Sequence, residues 1–330
     1  MDTVPLNATS LVNVHPSLQA SAQHIYNDTR FIGDSIQSLY IIPFLAAVGV
    51  CGNVMNLVVW SAESGFKPTT FFFKALAVSD IVNLVSIVLF VLHVTGVISI
   101  VLAALGSTVS AHTTMAIAYV RLLSVKQPTR VKTLLPKYRV IGGYVLLLSW
   151  CILTWLPLIV TLQVFKSSDH PVAMFFSTAA GSLSLILPVV VTAILNIGLL
   201  KKLFEPSNRN ALGQPLQHTV TRATRLARFR SPLTAVVCLS VTTVLAYPPA
   251  LVIFALNIYS KMGFDEEFWY SDQETALEVS VVLVMFNASI NVVYYLLFSS
   301  QFRQLLSRRL KCCVCRNDPP RDIPLNRVVT

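Results

Sequence analysis

The sequence predicts an all-α membrane protein, a seven-transmembrane helix bundle with a short interfacial eighth helix. Three observations carry that expectation. The 330 residues are 54% hydrophobic and only 12% charged, with a mean hydropathy of +0.66, which is too apolar for a soluble domain. Sparsely charged runs long enough to cross about 30 Å of hydrocarbon, roughly 20 helical residues each, recur seven times. None shows the two-residue alternation of barrel strands, and backbone groups in lipid must be satisfied within their own segment, so the runs read as helices.

The runs fall at 39–60, 71–93, 98–123, 140–164, 177–200, 233–258 and 277–298. Residues 1–37 form an extracellular N-terminal segment, 38–311 the helical domain with its interfacial helix near 299–311, and 312–330 a cytosolic tail. Orientation follows from the 25 Lys and Arg. Arg30, Lys166 and Lys261 lie on one side, whereas Lys126, Arg130, Lys132, Lys137 and Arg139 crowd one loop and Lys201, Lys202, Arg209, Arg222, Arg225, Arg228 and Arg230 another. The positive-inside rule puts the N-terminus outside and the C-terminus in the cytosol. The +10 net charge is then explained by this asymmetry and by attraction to anionic membrane lipids, with no nucleic acid needed as a partner.

Ahead of the first run there is no basic segment followed by a short apolar core, so the first helix reads as its own signal anchor. The sequons at Asn7 and Asn27 fall outside, where glycosylation occurs. A third match, at Asn287, lies within the seventh helix and reads as chance. Cys51, Cys151 and Cys238 fall within helices and none of the six cysteines is extracellular, so no extracellular disulfide forms within the chain. The other three, Cys312, Cys313 and Cys315, follow FSSQFRQLLSRRLK. There Phe298, Phe302, Leu305, Leu306 and Leu310 share a helical face that Arg303, Arg308, Arg309 and Lys311 rim. That pattern fits an interfacial helix ended by palmitoylated cysteines, and also a solvated basic tail with free thiols.

Polar residues inside the membrane are expensive and therefore candidate functional groups. Four stand out: Asn53, Asp80, Asn287 and Asn291. Asp80, the one acid at mid-membrane depth, needs donors, a cation or a wet cavity. Arg121 closes the third run with no acid beside it, since Val120 precedes it and Leu122 follows.

Asn53, Asp80, Arg121, Trp150, Pro188, Pro249 and Asn291 with Tyr295, one helix after another in order, resemble the signature of the class A, rhodopsin-like, G-protein-coupled receptors. The resemblance covers about 38 to 311. It implies a receptor, not an enzyme, that couples an extracellular ligand to a heterotrimeric G protein, with Arg121, Tyr247, Pro249, Asn291 and Tyr295 in coupling and activation. It also implies an allosteric Na⁺ site at Asp80, Ser110, Asn287 and Asn291, whose oxygens suit a hard cation. A hydrogen-bonded cluster around a protonated Asp80, without an ion, fits the same residues. No other cofactor is implied.

Several positions depart from the family pattern. Val120 stands where an acid restrains the arginine, and the sixth helix is preceded by the basic TRATRLARFR, which implies raised ligand-independent signalling. Tyr247 replaces the usual tryptophan and offers a hydroxyl to the polar core. Val292 replaces the seventh-helix proline, which should straighten that helix because no ladder hydrogen bond is lost. Asn196 stands where a tyrosine is common, the interval from Asp80 to Arg121 is short, and the disulfide of the second outer loop is absent.

The same comparison narrows the ligand. Ala103 replaces the aspartate of amine receptors, and no seventh-helix lysine is present for retinal. The third outer loop sets Asp265, Glu266, Glu267, Asp272, Glu274 and Glu278 beside Trp269 and other aromatics. Such a mouth suits a basic, aromatic peptide, and the chain loosely resembles invertebrate neuropeptide receptors of the FMRFamide type. A solvated acidic loop would look the same. Two further readings stay open: a heptahelical protein that has lost G-protein coupling, and an ion or solute transporter.

Overall fold

The computed structural model describes residues 40–92, 97–127, 129–164, 171–204, 233–253 and 270–315. Most of these residues are helical, and none of them forms a strand. In chain order the helices are α1 (Ile42–Trp60), α2 (Pro68–Val91), α3 (Val97–Lys126), α4 (Val131–Leu134), α5 (Lys137–Val164) and α6 (Pro171–Phe204). Then follow α7 (Leu233–Ile253), α8 (Tyr270–Ser289), α9 (Asn291–Phe298) and α10 (Ser300–Cys315). Seven spans are long and apolar enough to cross a membrane, the seventh being α8 and α9 together, Ala276–Phe298. This is the expected bundle, with α10 as the extra helix.

The helices run past the hydropathy runs wherever their ends are polar. α2 starts at Pro68, whose fixed φ suits the first helical turn, after Lys67 in the extended conformation that a following proline favours (φ −127°, ψ 126°). α3 continues through Arg121 to Lys126. The one-turn helix α4 lies in a stretch that read as loop.

α3 is the central element. In its apolar window 61% is buried, against 22% for α5, so α3 takes neighbours on several sides while α5 stays peripheral. Large apolar side chains on the outer faces, such as Leu146 and Leu153 on α5, Leu183 on α6, Leu245 on α7 and Leu297 on α9, stay exposed, as lipid-facing surface requires. Trp150 is among them, half exposed on α5. α2 and α3 approach closely because residue 106 is glycine: a Cβ there would lie 3.1 Å from the backbone N and Cα of Asn83. No side chain of ordinary size fits that gap.

The seventh span, where Val292 led to the expectation of a straight helix, carries one turn residue, and helical bonds run across it from Ile290 N to Phe286 O at 3.0 Å and from Tyr294 N to Ile290 O at 3.3 Å. α8 ends at Ser289, Ile290 occupies a turn, and α9 begins at Asn291. The backbone tightens there, with Val293 N donating to Ile290 O at 2.9 Å. Side chains also meet the carbonyls at this turn. Asn53 of α1 donates to the carbonyl of Ala288 at 2.8 Å, and Ser289 Oγ, with one hydrogen to give, lies 2.7 Å from Met285 O and 3.0 Å from Leu45 O of α1.

Candidate functional site: a polar core and an arginine end

Two clusters stand along the bundle, one in its middle and one at the end that carries Arg121. In the first, Ser110 Oγ donates to Asp80 Oδ1 at 2.7 Å and Asn291 Nδ2 donates to Oδ2 at 2.6 Å. The buried carboxylate thereby joins α2, α3 and α9. Above it, Tyr247 donates its hydroxyl to Ser107 O at 3.1 Å, as its place in the sixth span suggested, and Ser107 Oγ donates to Asn83 Oδ1 at 3.1 Å. Asn287 turns its carbonyl oxygen to Thr243 of α7 at 3.2 Å, and no hydrogen bond joins it to Asp80. Three of the four residues expected around a cation therefore form one cluster, and the fourth ties α8 to α7. The donor set still suits a hard cation: each Asp80 oxygen retains lone-pair capacity beyond its one hydrogen bond, and Ser110 Oγ can accept as well as donate.

At the other end, Trp60, Phe73, Tyr295 and Phe302 form an aromatic cluster that draws together α1, α2, α9 and α10. The Trp60 and Phe73 rings are 4.9 Å apart, Phe73 and Tyr295 4.9 Å, Trp60 and Tyr295 5.8 Å edge to face, and Tyr295 and Phe302 5.6 Å. Arg121 of α3 lays its guanidinium over Phe73, 5.8 Å from the ring centre. Val120 is buried in this same core, so it is a packing residue as well as a missing acid.

Among the described residues no carboxylate pairs with Arg121, and three buried donors there have no acceptor: Arg121 Nε, Trp60 Nε1 and the Tyr295 hydroxyl. The magnitudes decide what this means. A cation over a ring contributes about 0.5–2 kcal/mol, a buried donor left unpaired costs about 1–3 kcal/mol, and removing an ion from water costs several kcal/mol more. The aromatic contact alone does not offset the burial of this cation.

Two further residues act at this end: Arg303, which the sequence offered only as a rim residue of the interfacial helix, and Glu63, which it did not single out. Arg303 donates to Leu296 O at 2.8 Å and Leu297 O at 2.7 Å, closing the last carbonyls of α9 as a cation at a helix C-terminus should. Glu63, in the turn after α1, accepts from both Lys67 and Gln301, clamping α2 and α10 together. The signal for Arg303 was present, a basic residue one turn past a helix end. Glu63 carried none, because its partner Gln301 is 238 positions away.

The other expected site residues divide by place. Pro249 lies within α7, and Asn196 is buried on α6 with neither amide atom partnered. Glu278, expected at an open mouth, is buried within the seventh span. It sits on the wall of the bundle because α8 already runs helically from Tyr270. Asn7, Asn27, Asp265, Glu266, Glu267 and Trp269 lie outside the described residues, as do the side chains of Asp272, Glu274, Cys312, Cys313 and Cys315.

No curated protein matches the chain. Over residues 157–313, from the end of α5 to α10 and thus including Tyr247, Asn287, Asn291 and Tyr295, the chain matches the model of a family described as serpentine type 7TM GPCR chemoreceptor Srw, a likeness that with the seven apolar helices supports a multi-pass receptor of the G-protein-coupled kind.

Proposed function

We propose that this chain is a class A-like receptor of the plasma membrane, N-terminus outside and C-terminus in the cytosol, which passes an extracellular signal to heterotrimeric G proteins. A basic, aromatic peptide is the ligand class that the acidic and aromatic stretch 261–278 fits best. Glycans on Asn7 and Asn27 and palmitoyl groups on Cys312, Cys313 and Cys315 belong to the same reading.

The observation that carries it is the union of α2, α3 and α9 at Asp80, with Arg121 on the same helix α3 that supplies Ser110. A ligand that favours one arrangement of these helices necessarily biases the position of Arg121, and it does so by its difference in affinity between the two arrangements. Na⁺ held by Asp80 and Ser110 would favour the arrangement in which those two groups and Asn291 stay together. Val120 gives Arg121 no acid to rest on, so the inactive arrangement lacks an ion pair, and a bias of about 1.4 kcal/mol alters the equilibrium tenfold.

The test is GTP-analogue binding to G proteins in membranes holding the protein without ligand, beside the Arg121→Ala variant. Exchange above background that Arg121→Ala abolishes is the expected result. If basic amidated peptides also fail to raise exchange above that of empty membranes, the coupled-receptor reading falls and an uncoupled heptahelical protein takes its place.

A further inference from the structure

Arg121 Nε, Trp60 Nε1 and the Tyr295 hydroxyl are all hydrogen-bond donors, all buried, and all without an acceptor among the described residues. They belong to one contiguous group: Phe73 touches the rings of Trp60 and Tyr295 and lies beneath the Arg121 guanidinium. Apolar side chains pack around them, among them Ile117, Val120, Leu239 and Val292, and buried Asn56 stands one turn before Trp60 on α1. A positive charge grouped with two further unpaired donors in a largely apolar cluster calls for a negative partner, since water would satisfy the donors and leave the charge uncompensated.

We infer that this end of the bundle binds a small monovalent anion of the chloride class, held against Arg121 and hydrogen-bonded by Trp60 and Tyr295. The rings pack closely, with centres 4.9 to 5.8 Å apart, which favours the smallest of anions, a monatomic ion. The anion does for Arg121 what an acid at position 120 would otherwise do, and it makes the resting arrangement of α1, α3 and α9 depend on ionic composition at that face.

The experiment uses the full chain in detergent without G protein, so its failure is separable from failure of the receptor reading. Sodium is held constant while chloride replaces gluconate, and thermal unfolding is followed. The melting temperature should rise with chloride along a saturating curve, and bromide should substitute. Trp60→Phe and Tyr295→Phe each remove one donor and keep an aromatic ring; each should move the midpoint of that curve to about ten- to hundredfold higher chloride, the worth of one hydrogen bond to an ion. Arg121→Gln should remove the saturating rise altogether. If that variant does not fold, the two phenylalanine variants still decide. A melting temperature indifferent to the anion would overturn the inference and assign the counter-charge to a carboxylate of the chain. An unchanged midpoint in both phenylalanine variants would overturn it equally, as a general salt effect.

Discussion

Asn291 donates its side-chain amide to Asp80 at 2.6 Å across 211 positions of sequence, and this bond fixes the seventh span against the second in the middle of the bundle. Asn291→Ala leaves one oxygen of a buried carboxylate without its donor. It should lower unfolding stability by about 1–3 kcal/mol. Asp80→Asn keeps the size and removes the charge. Melting curves of the native chain should rise when Na⁺ replaces a bulky organic cation, and those of Asp80→Asn should not. An equal Na⁺ response in both would remove the ion from this cluster.

Val120→Asp sets an acid beside Arg121 but also in an apolar core, so two effects oppose each other. Val120→Asn separates them, because it carries the polarity without the charge. Basal nucleotide exchange should fall further in Val120→Asp than in Val120→Asn. Equal exchange in the two would show that the charge at this position restrains nothing.

Arg303→Ala removes the donor that closes two carbonyls of α9. The expected loss is about 1–2 kcal/mol, and it should be accompanied by faster amide hydrogen exchange around Leu296 to Ser299. Exchange unaltered in that stretch would mean that α10 holds its place by Phe302 and Leu305 alone.

Gly106→Ala and Gly143→Ala make a matched pair. The first pushes a methyl group to within 3.1 Å of the Asn83 backbone, whereas the second meets nothing within 4 Å. Overpacking should cost Gly106→Ala about 1–3 kcal/mol. Gly143→Ala should gain up to about 1 kcal/mol from helix propensity. Thermal unfolding of both variants in one detergent is sufficient, and destabilisation of equal size would contradict the close approach of α2 and α3.

Much of the bundle was legible in the sequence because hydrocarbon imposes one rule on every segment, a long apolar helix. The pairing of Asp80 with Ser110 and Asn291 was legible only through the resemblance to class A receptors, since many other buried polar groups could have met Asp80. What stayed hidden was set by contacts between distant positions. The Glu63 clamp depends on Gln301, the ring cluster around Arg121 on four separate helices, and the burial of Val120 on the rotation of α3. The turn at Ile290 was not legible either, because the Asn53 contact to the Ala288 carbonyl comes from another helix.

The bond from Asn53 to the Ala288 carbonyl ties the first helix to the seventh span two residues before the turn at Ile290. A proline acts from within its own helix, whereas this contact is supplied from outside and is kept or lost without any change in the sequence of the seventh span. Substituting Asn53 should therefore alter amide exchange around Ile290, in a helix where Asn53 does not reside, and the local behaviour of that stretch becomes a property that the first helix can pass on, lose or tune.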